Sequence, residues 1–315
     1  MKKTLVSLAV LAASSASFAQ VSITGDVAFG YIAQNVSGVE SSGFGVDSAE
    51  LFFNASEDLG GGSKVTSSLQ VQNATSAGDV VLAYSTPVFS LTMAQAKGGD
   101  YLTGGVSGVG NAGLDDKITS ARLMADGVTV SFPLTSEITL GFSHAEGAKL
   151  ATGVGEGSGA AGTDLGDQRR NMISAKYVAG ALVVDAGFGS YDQVGSAATN
   201  MKNQARGAVS YNFGAAKVGA GFDNRVYNLG TRTDLVAAVM VPVTPAFNAG
   251  VLFASRSHND TNDITKDGTR SGYSIRANYN LSKQTSLNFD YKNYKAAFAN
   301  QTNSTYAEVY MAKNF

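Results

Sequence analysis

Hydrophobic and polar residues alternate along most of this chain. Near the start, residues 21–32 (VSITGDVAFGYI) carry Val, Ile, Phe and Tyr at odd positions and mostly polar or small residues at even ones. The same two-residue period recurs in 182–190, 205–213, 273–281 and 285–293. Because successive side chains of a β-strand point to opposite faces, this period predicts strands with one apolar and one polar face.

The connections between these segments are of two kinds. Seven are short and carry Gly, Pro or Asn, and eight are longer and rich in Gly, Ser, Asn and Asp. Together they connect about sixteen strands of roughly ten residues each. The longer connections are predicted at 34–43, 73–78, 97–116, 147–167, 192–202, 227–231, 258–268 and 298–303.

The apolar faces recur along the whole chain, whereas a soluble sandwich buries its apolar faces between two sheets. A single sheet of about sixteen strands also has unpaired edges, which closure into a barrel removes. In lipid only helices and closed barrels satisfy every backbone polar group, and a barrel of this size encloses water. The pattern therefore predicts an all-β transmembrane antiparallel barrel with short periplasmic turns and longer extracellular loops. A secreted soluble β protein is the alternative.

The first nineteen residues have the pattern of a secretory signal peptide. Lys2 and Lys3 precede a short apolar core at 5–13, and small residues precede a cleavage point after Ala19. The core is too short to span a bilayer. We therefore expect residues 1–19 to be removed on export and residues 20–315 to form one barrel domain in the cell outer membrane. A buried N-terminal helix is the alternative.

Composition excludes several classes of function. The chain holds 23 Lys and Arg against 25 Asp and Glu, and this formal charge of −2 argues against nucleic-acid binding. It has no cysteine, so disulfides and thiolate metal sites are excluded. The two histidines, His144 and His258, have no neighbouring catalytic or metal-binding pattern. We predict no cofactor and no enzymatic activity, with a barrel esterase that uses His144 as the enzymatic alternative.

Three further motifs carry weaker signals. The glycines of 157–162 match a dinucleotide-binding pattern, but no helical pattern follows them, which favours a surface loop. Loop 258–268 holds Asp260, Asp263 and Asp267, whose spacing does not match a calcium-binding loop. The pair Arg169-Arg170 either contacts lipopolysaccharide phosphates or lies at the barrel rim.

The last strand ends in a pattern with a known counterpart. Residues 305–315 (TYAEVYMAKNF) alternate up to the terminal Phe315, which resembles the sorting signal of Gram-negative outer-membrane proteins. Together with the start VSITGDVAFGY, SEDLGGGSKV at 56–65 and STPVFSLTM at 85–93, the whole chain resembles the Gram-negative general diffusion porins of the proteobacterial trimeric type. The resemblance implies a homotrimer, in contact with outer-membrane lipid and lipopolysaccharide, that passes small hydrophilic solutes and ions passively.

The same resemblance implies a constriction inside the barrel. The third loop of such porins folds into the lumen, and its counterpart here is 97–116, with Asp100, Asp115 and Asp116. Family members place basic residues on the wall that faces this loop, but two of those positions here are Glu50 and Gln95.

Charged side chains on the polar strand faces are the remaining candidates for the lumen wall. The wall partners that we predict for the loop are Glu50, Lys64, Gln95, Arg206 and Arg276. Alternation also turns other charges inward, namely Arg170, Lys176, Lys217, Arg225, Arg256, Lys292, Asp26, Asp185, Asp223, Asp234, Asp290 and Glu308. Because the net charge is negative and basic wall residues are missing, we predict a weak to moderate preference for cations.

Two other functions stay open at this point. A substrate-selective channel would show conductance that its solute blocks, and a non-transport barrel, such as an adhesin or anchor, would have a plugged or narrow lumen. Small residues on the inward faces favour an open lumen; they are Gly187, Gly189, Gly219, Gly221 and Gly250.

Overall fold

The chain forms one closed antiparallel barrel, as predicted. A computed structural model describes residues 20–72, 76–106, 114–119, 124–146, 168–192, 201–260, 267–295 and 303–315. Its sixteen strands pair in chain order, and the first pairs with the last. No helix among the described residues is long and apolar enough to cross a membrane. The strands are β1 (Gln20–Val36), β2 (Val39–Gly60), β3 (Ser63–Gln72), β4 (Ser76–Ser85), β5 (Ser90–Lys97), β6 (Met124–Pro133), β7 (Ile138–Glu146), β8 (Arg169–Ala179), β9 (Leu182–Asp192), β10 (Met201–Asn212), β11 (Lys217–Tyr227), β12 (Gly230–Thr244), β13 (Phe247–Asp260), β14 (Gly268–Asn280), β15 (Thr285–Tyr294) and β16 (Ser304–Asn314), and one short helix, α1 (Leu114–Ile118), lies between β5 and β6.

The apolar face of each strand points away from the barrel axis. Phe29 is 53% exposed and its neighbour Ala28 is 1% exposed. Likewise, Phe289 is 40% exposed beside Asp290 at 3%. This is the reverse of a soluble protein, where phenylalanine is mostly buried and aspartate mostly exposed. The alternation therefore describes a wall whose outer surface suits hydrocarbon and whose inner surface is mostly polar.

The chain ends close the ring. The backbone N–H of Phe315 donates to the carbonyl of Gly25 at 3.0 Å, and the N–H of Gly25 donates to the carbonyl of Phe315 at 3.1 Å. From there β1 and β16 pair along their length, from Asp26 opposite Asn314 to Asn35 opposite Thr305. The terminal strand thus removes the edge that an open sheet would leave.

Seven short turns connect the strands at one end of the barrel, as predicted. The first uses Gly60, Gly61 and Gly62, all with positive φ between 62° and 79°, a conformation that glycine adopts without strain. At the other end, two of the predicted longer loops are tight turns instead: residues 37–38 connect β1 to β2, and residues 228–229 connect β11 to β12.

The error at 34–43 has a simple cause. Ser, Gly and Asn in this stretch suggest a loop, yet the strands continue to pair, with Gln34 opposite Ser41 and Asn35 opposite Glu40. The Asn35 side chain also accepts a hydrogen bond from the N–H of Gly38 at 2.9 Å, which closes the hairpin. Beyond the membrane a strand needs no apolar face, so composition alone does not show where pairing ends.

Candidate channel constriction

The segment after β5 crosses the lumen and lies against the opposite wall. Residues 98–106 reach β9 to β11, and α1 packs against β13, β14 and β15. We call residues 98–106 together with α1 the lumen loop. This inward course agrees with the prediction for the third loop.

Basic side chains of the wall hold the backbone of the lumen loop. The Arg206 guanidinium donates to the carbonyls of Gly99, at 3.1 Å, and of Asp100. Lys217 Nζ donates to the carbonyl of Gly104 at 2.7 Å. Farther along, Arg270 Nε donates to the carbonyl of Ile118 at 2.8 Å. Three strands, β10, β11 and β14, thus fix the loop through charge-assisted hydrogen bonds.

Two side chains of the loop bind acidic residues of the wall. The Thr103 hydroxyl donates to Asp185 on β9. The Tyr101 hydroxyl donates to Asp234 Oδ2 on β12 at 2.9 Å. Burial, followed by the nearby Asp234 charge, raises the pKa of the Tyr101 phenol, so it stays protonated and remains a donor.

An apolar patch inside the barrel seats the loop. Ten buried residues form one cluster: Tyr101, Leu102, Val106, Leu114 and Ile118 of the loop, and Val236, Ala238, Leu252, Ala254 and Tyr294 of the wall. The alternation of the strands predicts polar side chains on the inner face, so it did not predict the apolar wall residues of this cluster. The sequence does contain a signal for this patch. Residues 235–241 (LVAAVMV) and 249–254 (AGVLFA) are apolar at odd and even positions alike, as expected for strands that are covered on both faces.

Two glycines of β11 let the loop approach this wall. A Cβ atom at Gly221 would overlap the carbonyl oxygen of Tyr101, and one at Gly219 would overlap Val106 Cγ1. These two glycines were predicted to indicate an open lumen. The structure corrects that interpretation, because the space beside them is filled by the loop.

Wall arginines around the loop form ion pairs. Arg256 donates from Nε and Nη2 to the two oxygens of Asp234 at 2.6 and 2.8 Å. Arg225 pairs with Asp223 on the same strand at 3.2 Å. The predicted wall residue Arg276 donates from Nε to Asp290 Oδ1 at 2.6 Å. Because these bases are paired with carboxylates, they add little net charge to the lumen.

The wall formed by β1 and β2 differs in charge. Glu50 Oε2 accepts a hydrogen bond from Gln70 Nε2 at 2.7 Å, and Asp26 accepts one from the Ser48 hydroxyl. Both donors are neutral, so neither hydrogen bond brings a positive charge to the carboxylate. In the described residues the contacts of the lumen loop lie on strands from β9 to β15, and not on β1 or β2.

The structure does not bring the other predicted site residues together in one group. Asp100 contributes its carbonyl to Arg206, and its side chain accepts the Leu102 N–H at 3.4 Å. Asp115 and Asp116 lie in α1, and their side chains fall outside the described part of the structure. Lys64 is the second residue of β3, exposed at the short-turn end.

Gln95 lies on the outer wall, so its predicted place in the lumen is wrong. Its register partners are Val80 and Asp126, and Val80 is exposed on the lipid-facing side together with Met93. Its Nε2 donates to Asp126 Oδ1 at 3.0 Å. The resemblance placed this residue in the lumen, but strand register decides the face, and a shift of one residue reverses it.

Gln95 belongs to an outward row of polar side chains at the long-loop end. Register aligns Gln95, Asp126, Glu146, Arg169 and Asp192 across five neighbouring strands. Arg169 Nε lies 3.2 Å from Glu146 Oε1. Ionised groups avoid hydrocarbon, so this row marks the edge of the apolar band.

His144 also lies on the outer face, beside this polar row. Its Nδ1 is 2.8 Å from Asn171 Oδ1 and its Nε2 is 3.4 Å from Glu146 Oε1. The structure therefore gives no support to His144 as the base of a lumen active site. The glycine motif at 157–162 and Asp263 lie outside the described residues, within which no three His, Asp or Glu side chains are grouped to hold a metal ion.

Space remains beside the lumen loop. A cavity of about 610 Å³ lies between the loop and β6 to β10. Charged side chains of both signs line it, with Asp100 on the loop and Lys176, Asp185 and Arg206 on the wall. A closed barrel with a polar lumen, narrowed by an inward loop but not filled by it, is the architecture of an outer-membrane channel.

The comparisons with known proteins agree with this class. The family model for Gram-negative porins matches residues 5–297. The chain therefore belongs to the Gram-negative porin family and forms an outer-membrane porin barrel. No curated protein sequence matches it.

Solved porin structures share the fold at low sequence identity. An anion-selective porin from Comamonas acidovorans superposes with a TM-score of 0.67 at 15% identity, covering 95% of this chain and 100% of that one. A porin refined at 1.8 Å resolution gives 0.69 at 16% identity, covering 94% and 100%. OmpT of Vibrio cholerae, in a trimer form, gives 0.64 at 12% identity, covering 94% and 99%.

Proposed function

We propose that this porin is a passive, weakly cation-preferring channel for small hydrophilic solutes and ions, and not an enzyme. The observation that carries the proposal is the position of the lumen loop on the basic wall. Arg206, Lys217 and Arg270 bind its backbone, while β1 and β2 contain carboxylates such as Asp26 and Glu50 and no Lys or Arg. A channel bounded by fixed negative charge concentrates cations.

Conductance in a planar bilayer tests this proposal. We expect open channels with current proportional to voltage, and a reversal potential in a KCl gradient that favours potassium modestly. A reversal potential that favours chloride would overturn the cation preference. The channel would then be anion-selective, like the porin from Comamonas acidovorans. Block of the current by one particular solute would favour a substrate-selective channel, and a barrel without conductance would overturn transport altogether.

Replacing Glu50 with glutamine should shift the reversal potential toward chloride. The change removes a lumen charge but keeps the shape and the hydrogen bond with Gln70. A matched control is Glu57→Gln, which removes the same charge from the outer face near the short-turn end, where Glu57 lies opposite Val65. Equal effects of the two variants would contradict a role for Glu50 in ion preference.

We also propose that the porin works as a homotrimer among outer-membrane lipid and lipopolysaccharide. The related Vibrio OmpT occurs in a trimer form, and the outward polar row from Gln95 to Asp192 suits lipid headgroups. Conductance that appears in three equal steps per insertion would support the trimer.

The mass of the exported protein should correspond to a chain that begins at Gln20.

A further inference from the structure

The lumen loop touches β11 at two places where only hydrogen occupies the side-chain position. Val106 is fully buried against Gly219, and the carbonyl of Tyr101 lies against Gly221. Both glycines have ordinary strand φ values, and so neither is required for backbone conformation. Their small size therefore serves the approach of the loop.

We propose that Gly219 and Gly221 are positioning residues that set the width of the passage. This inference rests on the proposed function, because width matters only in a conducting channel. Their missing side chains let the loop lie directly on β11, and any methyl group there must push it toward the open side of the lumen. Hydrogen bonds from Lys217 and Tyr101 on either side then keep the loop at whatever distance the contact allows.

The contact is tight enough for a methyl group to matter. A Cβ at Gly219 would lie 3.3 Å from Val106 Cβ and much closer to Cγ1. Since packed interiors tolerate little overlap, the loop must move rather than compress. On the other side of the barrel, a Cβ at Gly45 would meet nothing within 4 Å, and Gly45 also has an ordinary φ.

Single-channel conductance of Gly219→Ala tests the proposal, with Gly45→Ala as the matched control. We expect Gly219→Ala to lower the unit conductance by about 1.5-fold or more, because current through a narrow waist follows its open area. Gly45→Ala should conduct like the wild type. Equal conductance of Gly219→Ala and the control would overturn the proposal.

A second substitution separates loop position from general damage. Val106→Ala removes Cγ1, the atom that a Cβ at residue 219 would overlap. The double variant should therefore recover conductance toward the wild-type value, and failure of this rescue would overturn the proposal. If Gly219→Ala does not fold, Val106→Phe in the wild-type background replaces it, because the larger side chain pushes the loop away from the same wall. An unchanged conductance of Val106→Phe would overturn the proposal. Wild-type channels that do not conduct would instead refute the proposed function.

Discussion

Replacing Asp234 with alanine should destabilise the barrel more than any other single change to the lumen wall. Asp234 is 1% exposed and accepts two hydrogen bonds from Arg256, which is 5% exposed. Removing one partner of such a buried pair leaves a charge without its counter-charge, and we expect the free energy of unfolding to fall by about 3 kcal/mol. Denaturant unfolding of the protein in lipid vesicles measures this change.

The same variant should disturb the channel, because Asp234 also accepts the Tyr101 hydroxyl of the lumen loop. Tyr101→Phe is the control, since it removes the hydroxyl that donates to Asp234 and leaves the Arg256–Asp234 ion pair intact. We expect Tyr101→Phe to increase current noise with a much smaller loss of stability than Asp234→Ala. Equal stability losses in the two variants would show that the ion pair contributes little.

A lysine on the outer wall should be far more damaging than a lysine on the inner wall one residue away. Val130 lies opposite Leu91 and Phe142, and Phe142 is 48% exposed on the lipid side. Val130→Lys would place a charge near the middle of the apolar band, which costs about 2–4 kcal/mol. Assembly yield in vesicles and the free energy of unfolding are the measurements.

Thr129→Lys is the matched control on the same strand. Thr129 lines a cavity beside the lumen loop, where an ammonium group keeps its water. We expect normal folding and a shift in reversal potential toward chloride. Comparable folding defects in the two variants would mean that both faces of β6 are dry.

The fold follows from the sequence because lipid and water impose a strict two-residue period. A strand between them must turn apolar residues one way and polar residues the other, so β1, β10 and β15 were visible as strands. The number of strands followed from the connections. Closure followed from the cost of an unpaired edge.

The site was less predictable, because residues distant in sequence form it. Alternation turned Asp234, Arg256 and Arg276 inward, but could not say that Arg256 pairs with Asp234, or Arg276 with Asp290, on a neighbouring strand. The apolar inner patch at Val236 and Leu252 reflects a covering loop, a feature outside the lipid–water period. Gln95 shows the other limit, since a resemblance without strand register places a side chain on the wrong face.

Water accessibility of single cysteines along β6 and β7 tests the central claim most directly. The chain has no cysteine, so each introduced thiol is reported alone. With the protein in lipid vesicles, we predict that a charged, membrane-impermeant thiol reagent labels cysteines at Thr129, Ser131 and Ser143 and fails to label those at Val128, Val130 and Phe142. Uniform labelling, or labelling of the second set alone, would contradict a barrel that turns its apolar side to hydrocarbon and encloses water.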